Sequence, residues 1–104
     1  MIKPIHLSRA LALVIAIPGV SMAQDAETGR EIAEEYCVRC HDIEDGGAMK
    51  TYPPSFDSVS VFRSEEQIRA RILFPALHTS MPQWGTFLDL DDVGAVTAYI
   101  LSLE

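Results

Sequence analysis

The chain has 104 residues, 15 acids against eight Lys and Arg, and a net charge of −7. So acidic a balance argues against nucleic acid as a partner. A chain this short forms one domain whose own core is small, so it leans on disulfides, a metal or a cofactor, and it has only two cysteines.

Residues 1–23 have the layout of a secretory signal peptide. Lys3 and Arg9 come with no acid, "ALALVIAI" at 10–17 is purely apolar, Pro18 and Gly19 break the helix, and Ser21 and Ala23 take the −3 and −1 positions of a cleavage site. The apolar run is shorter than the ~20 residues a bilayer span requires. The expectation is export to the periplasm and cleavage before Gln24, with no membrane span afterwards; an uncleaved anchor is the competing reading. The mature domain, residues 24–104, keeps six Lys and Arg and all 15 acids, a net charge of −9 on 81 residues. A partner steered by that charge presents a basic patch, although the charge serves solubility equally well.

The first helix of the mature chain is predicted over 26–38, with Asp25 as N-cap and Glu27 and Glu31 in the first turns, where acids suit the helix dipole. Gly29, Ile32, Ala33, Tyr36, Cys37 and Cys40 share one face, which places both cysteines inward at the helix end. From 42 to 62 periodicity is lost, and Gly46-Gly47 and Pro53-Pro54 mark a long ordered loop. Such a loop in so small a domain makes sense when it wraps a non-protein core. A second helix starts at Ser64, where "SEEQ" pairs Ser64 with Gln67 as a capping box; Ile68 and Ile72 are its buried face and Pro75 stops it. After an irregular stretch, the last helix begins near Asp89, carries Asp91 and Asp92 in its first turn, and lines up Val93, Val96, Ile100 and Leu103. About three helices, long loops and no strand make an all-α domain.

The two cysteines stand in "CVRCH", Cys37 to His41. Four readings compete. A zinc site needs about four ligands, and only His41 and His78 could join the pair. A thioredoxin-like redox pair belongs in a βαβ pattern that is missing here. A disulfide across two residues closes almost no loop and staples nothing. The fourth is covalent haem attachment, whose signature is C-x-x-C-H. Thiols at i and i+3 add to the two vinyl groups along one porphyrin edge, and the next residue sets an imidazole under the iron.

On these residues, on Met81-Pro82 and on the C-terminal "DDVGAVTAYILSL", the mature chain resembles the small single-haem c-type cytochromes of class I. The resemblance implies a cytochrome c-like fold around one covalent haem c. It implies Met81, before a proline, as second axial ligand, and crossed terminal helices with Gly29 and Tyr99 at the crossing. It also implies that the His41 ring is held by a proline carbonyl, for which Pro54 in Pro54-Ser55-Phe56 is the candidate and Pro53 the fallback. One departure is Ala33, where the family has an aromatic four residues before the first cysteine; Tyr36 or Ile32 is a candidate to fill that space.

The residues also speak to the second ligand directly. Only Met49 and Met81 remain after cleavage. Met49 lies eight residues past His41 in a loop that must turn sharply around the haem edge, whereas Met81 is forty residues on, beyond a helix, in a loop stiffened by Pro82. A thioether opposite imidazole raises the reduction potential; His78 is the rival and makes a lower-potential site. Trp84, Arg63, Arg69 and Arg71 are candidates to hold the haem propionates. With both axial positions filled, the expected function is one-electron transfer between periplasmic redox proteins, and not enzymatic turnover. By the resemblance, partners dock near Cys40 and Met81-Pro82-Gln83. The competing functions are a haem c subunit of a larger periplasmic dehydrogenase or oxidase, a carrier tethered by its uncleaved N-terminus, and a gas-binding or peroxidase-like haem protein.

Overall fold

The computed structural model describes residues 2–4, 12, 18–47 and 52–104, and of 18–24 the backbone alone; Met49 lies outside these residues. Four helices follow in order: α1 (Pro18–Tyr36), α2 (Phe56–Phe62), α3 (Glu65–Leu73) and α4 (Leu90–Ser102), with a 3-10 turn at Trp84–Thr86 between the last two. Among the described residues there is no strand, so the domain is all-α, as expected.

Local chemistry sets several of these boundaries. Ser64 caps α3 as the sequence predicts: its hydroxyl accepts from the Gln67 N–H at 3.2 Å, and the Gln67 side chain accepts from the Ser64 N–H at 2.9 Å. Asp89 and Asp92 form the same reciprocal pair at the start of α4. Ile68 and Ile72 are buried, as are Val93, Val96 and Ile100. Pro75 follows the end of α3 by two residues, consistent with the aversion of a pre-proline residue to helix.

Two elements differ from expectation. Helix α1 begins at Pro18, so Asp25 lies within it and caps nothing. A proline is tolerated at the head of a helix, where the missing N–H has no partner to lose, and Gly19 beside it weakens a helix without ending one. The second is α2, a helix inside the stretch read as loop. At seven residues it is too short for helical periodicity to emerge. It is built by its first turn instead, where the Asp57 carboxylate accepts from Ser58 N–H at 2.8 Å and Ser55 Oγ at 2.6 Å. The same carboxylate reaches back to the Gly46 N–H at 2.9 Å, closing the Gly46-Gly47 turn onto α2. These bonds, Ser55 first, hold the Asp57 carboxyl below its usual range.

Helix α4 packs against α1, α2 and α3 and is the centre of the domain. That is why Ala95, Thr97 and Tyr99 are buried along with the expected stripe. The crossing with α1 is tight: a Cβ added to Gly29 would lie 1.9 Å from the Ala95 carbonyl oxygen. Ala33, one turn on from Gly29, is fully buried in the same core. Small residues four apart let the two backbones meet, which settles the departure noted at Ala33. Ile32 packs on the edge of the core, whereas Tyr36 turns to Trp84.

Tyr99 fastens the segment after His41 to this core, donating its hydroxyl to the Ile43 carbonyl at 2.7 Å. Burial, and then Glu44, push its phenol above the ordinary range, so the hydroxyl stays a donor at neutral pH. Tyr99→Phe strands that carbonyl. The holoprotein should lose about 1–3 kcal/mol, the cost of an unsatisfied buried polar group. A thermal unfolding midpoint equal to that of wild type would contradict the bond. Arg30 ties the same post-His41 segment to α1, 3.2 Å from both Glu34 and Glu44. All three side chains are exposed, and such pairs contribute little.

Candidate functional site

Helix α1 delivers the cysteine motif. It ends at Tyr36, and residues 37–40 form a turn in which the Cys40 and His41 N–H groups both donate to the Cys37 carbonyl, at 3.2 and 3.0 Å. The two sulfurs are not joined to each other, so the pair is not a disulfide. Burial, with a smaller push from Cys40, raises the Cys37 thiol to about 11. Among the described residues, no three His, Cys, Asp or Glu side chains gather as a metal-holding set, which leaves the zinc reading without ligands.

His41 is oriented by the chain after it. Its Nδ1–H donates to the Pro54 carbonyl at 2.7 Å, the bond that resemblance implied for Pro54 ahead of Pro53. The proton on Nδ1 leaves Nε2 with a free lone pair, as an imidazole ligand requires. The Phe56 ring lies against the imidazole with centroids 5.2 Å apart, and Phe56 N–H donates to the Asp42 carbonyl at 2.9 Å. The α2 turn therefore supports the ring from behind: Asp57 holds Ser55, and Ser55 sits between Pro54 and Phe56.

Cys37, Cys40, His41, Met81, Pro54 and Trp84 all line one cavity of about 990 Å³. Its size is at the upper end of the roughly 300–1,000 Å³ typical of small-molecule and cofactor sites. Ile68 and Ile72 of α3, Val96 and Ile100 of α4, and Leu88 just before α4 give it an apolar lining. His78 is exposed and is not part of that lining. The Trp84 ring stacks edge-on against Tyr36 at 5.7 Å, and its indole N–H has no hydrogen-bond partner among the described residues. Of the arginine candidates, Arg63 and Arg71 line the cavity, and so does Arg39, which the sequence did not single out. Arg69 is drawn off to Glu65 at 3.1 Å and lies over Gly94.

The residues present fit a haem. Two cysteine side chains at i and i+3 line the cavity beside an imidazole whose far nitrogen is free, a thioether lines the same space, and the remaining lining is largely apolar. Cys37 and Cys40 would hold the group by thioether links, and His41 would ligate its iron.

Comparison with known proteins points the same way. Residues 24–100 match the family described as cytochrome C oxidase, cbb3-type, subunit III. The chain is 34% identical to cytochrome c-552 of Bradyrhizobium diazoefficiens over an alignment of 106 residues, covering 96% of this chain and 97% of that one. It is 35% identical to cytochrome c2 of Pararhodospirillum photometricum over 79 residues, 76% of this chain and 65% of the relative. No solved structure matches the chain.

Proposed function

The chain belongs to the c-type cytochrome family and carries one covalently bound haem c, and we propose that it is a periplasmic one-electron carrier with iron held between His41 and Met81. The observation that carries this reading is the pairing in one cavity of an Nδ1-fixed His41 with Met81, while His78 points elsewhere. When bound, the haem supplies an iron that alternates between ferric and ferrous. The protein's part is to keep the surroundings of both states alike. Pro54 holds the imidazole ring in one orientation, Cys37 and Cys40 prevent loss of the group, and Ile68, Ile72, Val96 and Ile100 keep water from it. With His41 and Met81 both ligating the iron, no position would remain for oxygen or peroxide, which favours a carrier over an enzyme.

Export rests on the signal-peptide layout of residues 1–23, and the family match beginning at residue 24 agrees with it. Cleavage there would shorten α1 but leave Gly29 and Ala33, its buried contacts with α4, in place. No helix among the described residues is long and apolar enough to cross a membrane. The acidic groups Glu31, Glu34 and Glu35, and Asp42, Glu44 and Asp45, meet where Arg30 bridges Glu34 to Glu44. Together they offer a surface for a partner with a basic patch.

The testing experiment is the visible spectrum of the protein recovered from the periplasm, oxidised and reduced. Sharp reduced bands with a far-red sulfur-to-iron charge-transfer band in the oxidised state are the expected result. A low-spin spectrum without that band would move the sixth ligand to His78, and a high-spin spectrum that changes with CO would favour gas binding. A second reading, a haem subunit of a larger oxidase, draws on the description of the matched family. Size exclusion of native extract separates the two.

A further inference from the structure

The loop that brings Met81 to the cavity has few fastenings. Within residues 74–83 the Phe74 N–H returns to Ala70 on α3 at 2.8 Å, and Thr79 N–H and Oγ1–H both return to Ala76 at 3.1 and 3.0 Å. Trp84 N–H bonds Pro82 at 2.9 Å. Every one of these bonds closes on a neighbour within four residues, so none ties the loop to a distant part of the chain. The exception is Ser80, the residue before Met81. Its N–H donates to the Tyr52 hydroxyl at 3.3 Å, and its Oγ shares a hydrogen bond with the same hydroxyl at 3.1 Å. Among the described residues, all hydrogen bonding between this loop and a non-adjacent segment passes through that one oxygen.

Tyr52 is itself placed by the other half of the site. It lies two residues before Pro54, whose carbonyl holds His41, and Tyr52, Pro54, Ser80 and Met81 all line the same cavity. The Tyr52–Ser80 contact therefore links the segment that orients one axial ligand to the loop that presents the other, across 28 residues of sequence. Tyr52 is 61% exposed and is not part of the buried protein core.

We propose that Tyr52 is a positioning residue for Met81: its hydroxyl straps the Ser80-Met81-Pro82 loop to the His41–Pro54 side and holds the thioether on the iron against competing ligands. The proposal rests on Met81 being the sixth ligand. For an external ligand to take that position, Met81 must withdraw and the loop must shift, which breaks the two bonds at Ser80. Without the strap, withdrawal meets less resistance, while the bonds that hold α1 to α4 are untouched.

The test is imidazole titration of the oxidised holoprotein, wild type against Tyr52→Phe, following loss of the sulfur-to-iron charge-transfer band, with thermal unfolding of both proteins alongside. Tyr52→Phe should lower the imidazole concentration at half-displacement by about threefold to tenfold, the range one or two neutral hydrogen bonds supply, with the unfolding midpoint unchanged. Ser80→Ala, which keeps the Ser80 N–H bond to Tyr52, should shift it less, and adding it to Tyr52→Phe should give no further change. Equal half-displacement in wild type and Tyr52→Phe overturns the strap. So does a shift accompanied by a matching loss of thermal stability, since Tyr52 would then be a general structural contact. A wild-type protein lacking the band at the outset overturns the Met81 assignment instead, before any variant is compared.

Discussion

Met81→Ala should leave the haem attached and open its iron. Cys37, Cys40 and His41 are untouched by the change, and the His41–Pro54 bond lies in a different segment from Met81. What is lost is a thioether, a weak donor that favours ferrous over ferric iron. Replacement by water or hydroxide should lower the reduction potential by on the order of 0.1 V, a fraction of the roughly 0.8 V that axial ligands span. The oxidised spectrum should turn high-spin, lose its far-red charge-transfer band, and acquire a rapid response to CO on reduction. Helix content should persist, because Met81 is only partly buried at the edge of the core. A variant that stays low-spin with an unchanged potential would remove Met81 from the iron and return His78 to consideration.

Among the described glycines, Gly29 is where an added methyl group, as in Gly29→Ala, should destabilise most. In an isolated helix the change is favourable by up to about 1 kcal/mol. Here the new Cβ would sit 1.9 Å from the Ala95 oxygen, 2.4 Å from its carbonyl carbon and 2.9 Å from Tyr99 Cβ. Two of those atoms are backbone of the central helix, so no rotamer change relieves the contact. Either α1 moves off α4 or the helix bends, and Tyr99 then carries its bond to Ile43 with it. Overpacking of this kind costs about 1–3 kcal/mol, occasionally more, and each kcal/mol lowers the unfolding midpoint of so small a domain by roughly 4–8 °C. Gly94→Ala is the control: the atoms nearest its Cβ would be those of the Arg69 guanidinium, the far end of a long side chain, from 3.4 Å, and the helix-propensity gain should make it neutral or slightly stabilising. If both variants unfold at the wild-type temperature, α1 and α4 do not approach as described.

What could be read from the amino-acid order was what acts over a few residues. Cys37, Cys40 and His41 announce a haem because attachment chemistry needs those groups at that spacing and at no larger scale. The caps at Ser64 and Asp89 were legible for the same reason, since each is closed by a residue three positions away. The apolar stripe of α4 repeats often enough in thirteen residues to be seen. Helix α2 was not legible, because seven residues hold too few turns to show a period, and its start depends on an Asp57 carboxylate shared with Gly46, eleven positions back.

Everything that positions the haem-facing groups belongs to the tertiary structure. The carbonyl that orients His41 comes from thirteen residues away, the hydroxyl that pins Ser80 from 28, and the phenol that fastens Ile43 from 56. Pro54 could be proposed only by resemblance, and nothing in the order of residues pairs Tyr52 with Ser80 or Tyr36 with Trp84. Gly29 and Ala33 read as one face of a helix, but that they replace an expected aromatic by letting two backbones touch was decided only by α4 crossing there. The physical reason is that a local motif carries its partners with it, whereas a contact across dozens of residues depends on chain closure, which is set by the packing of the whole core.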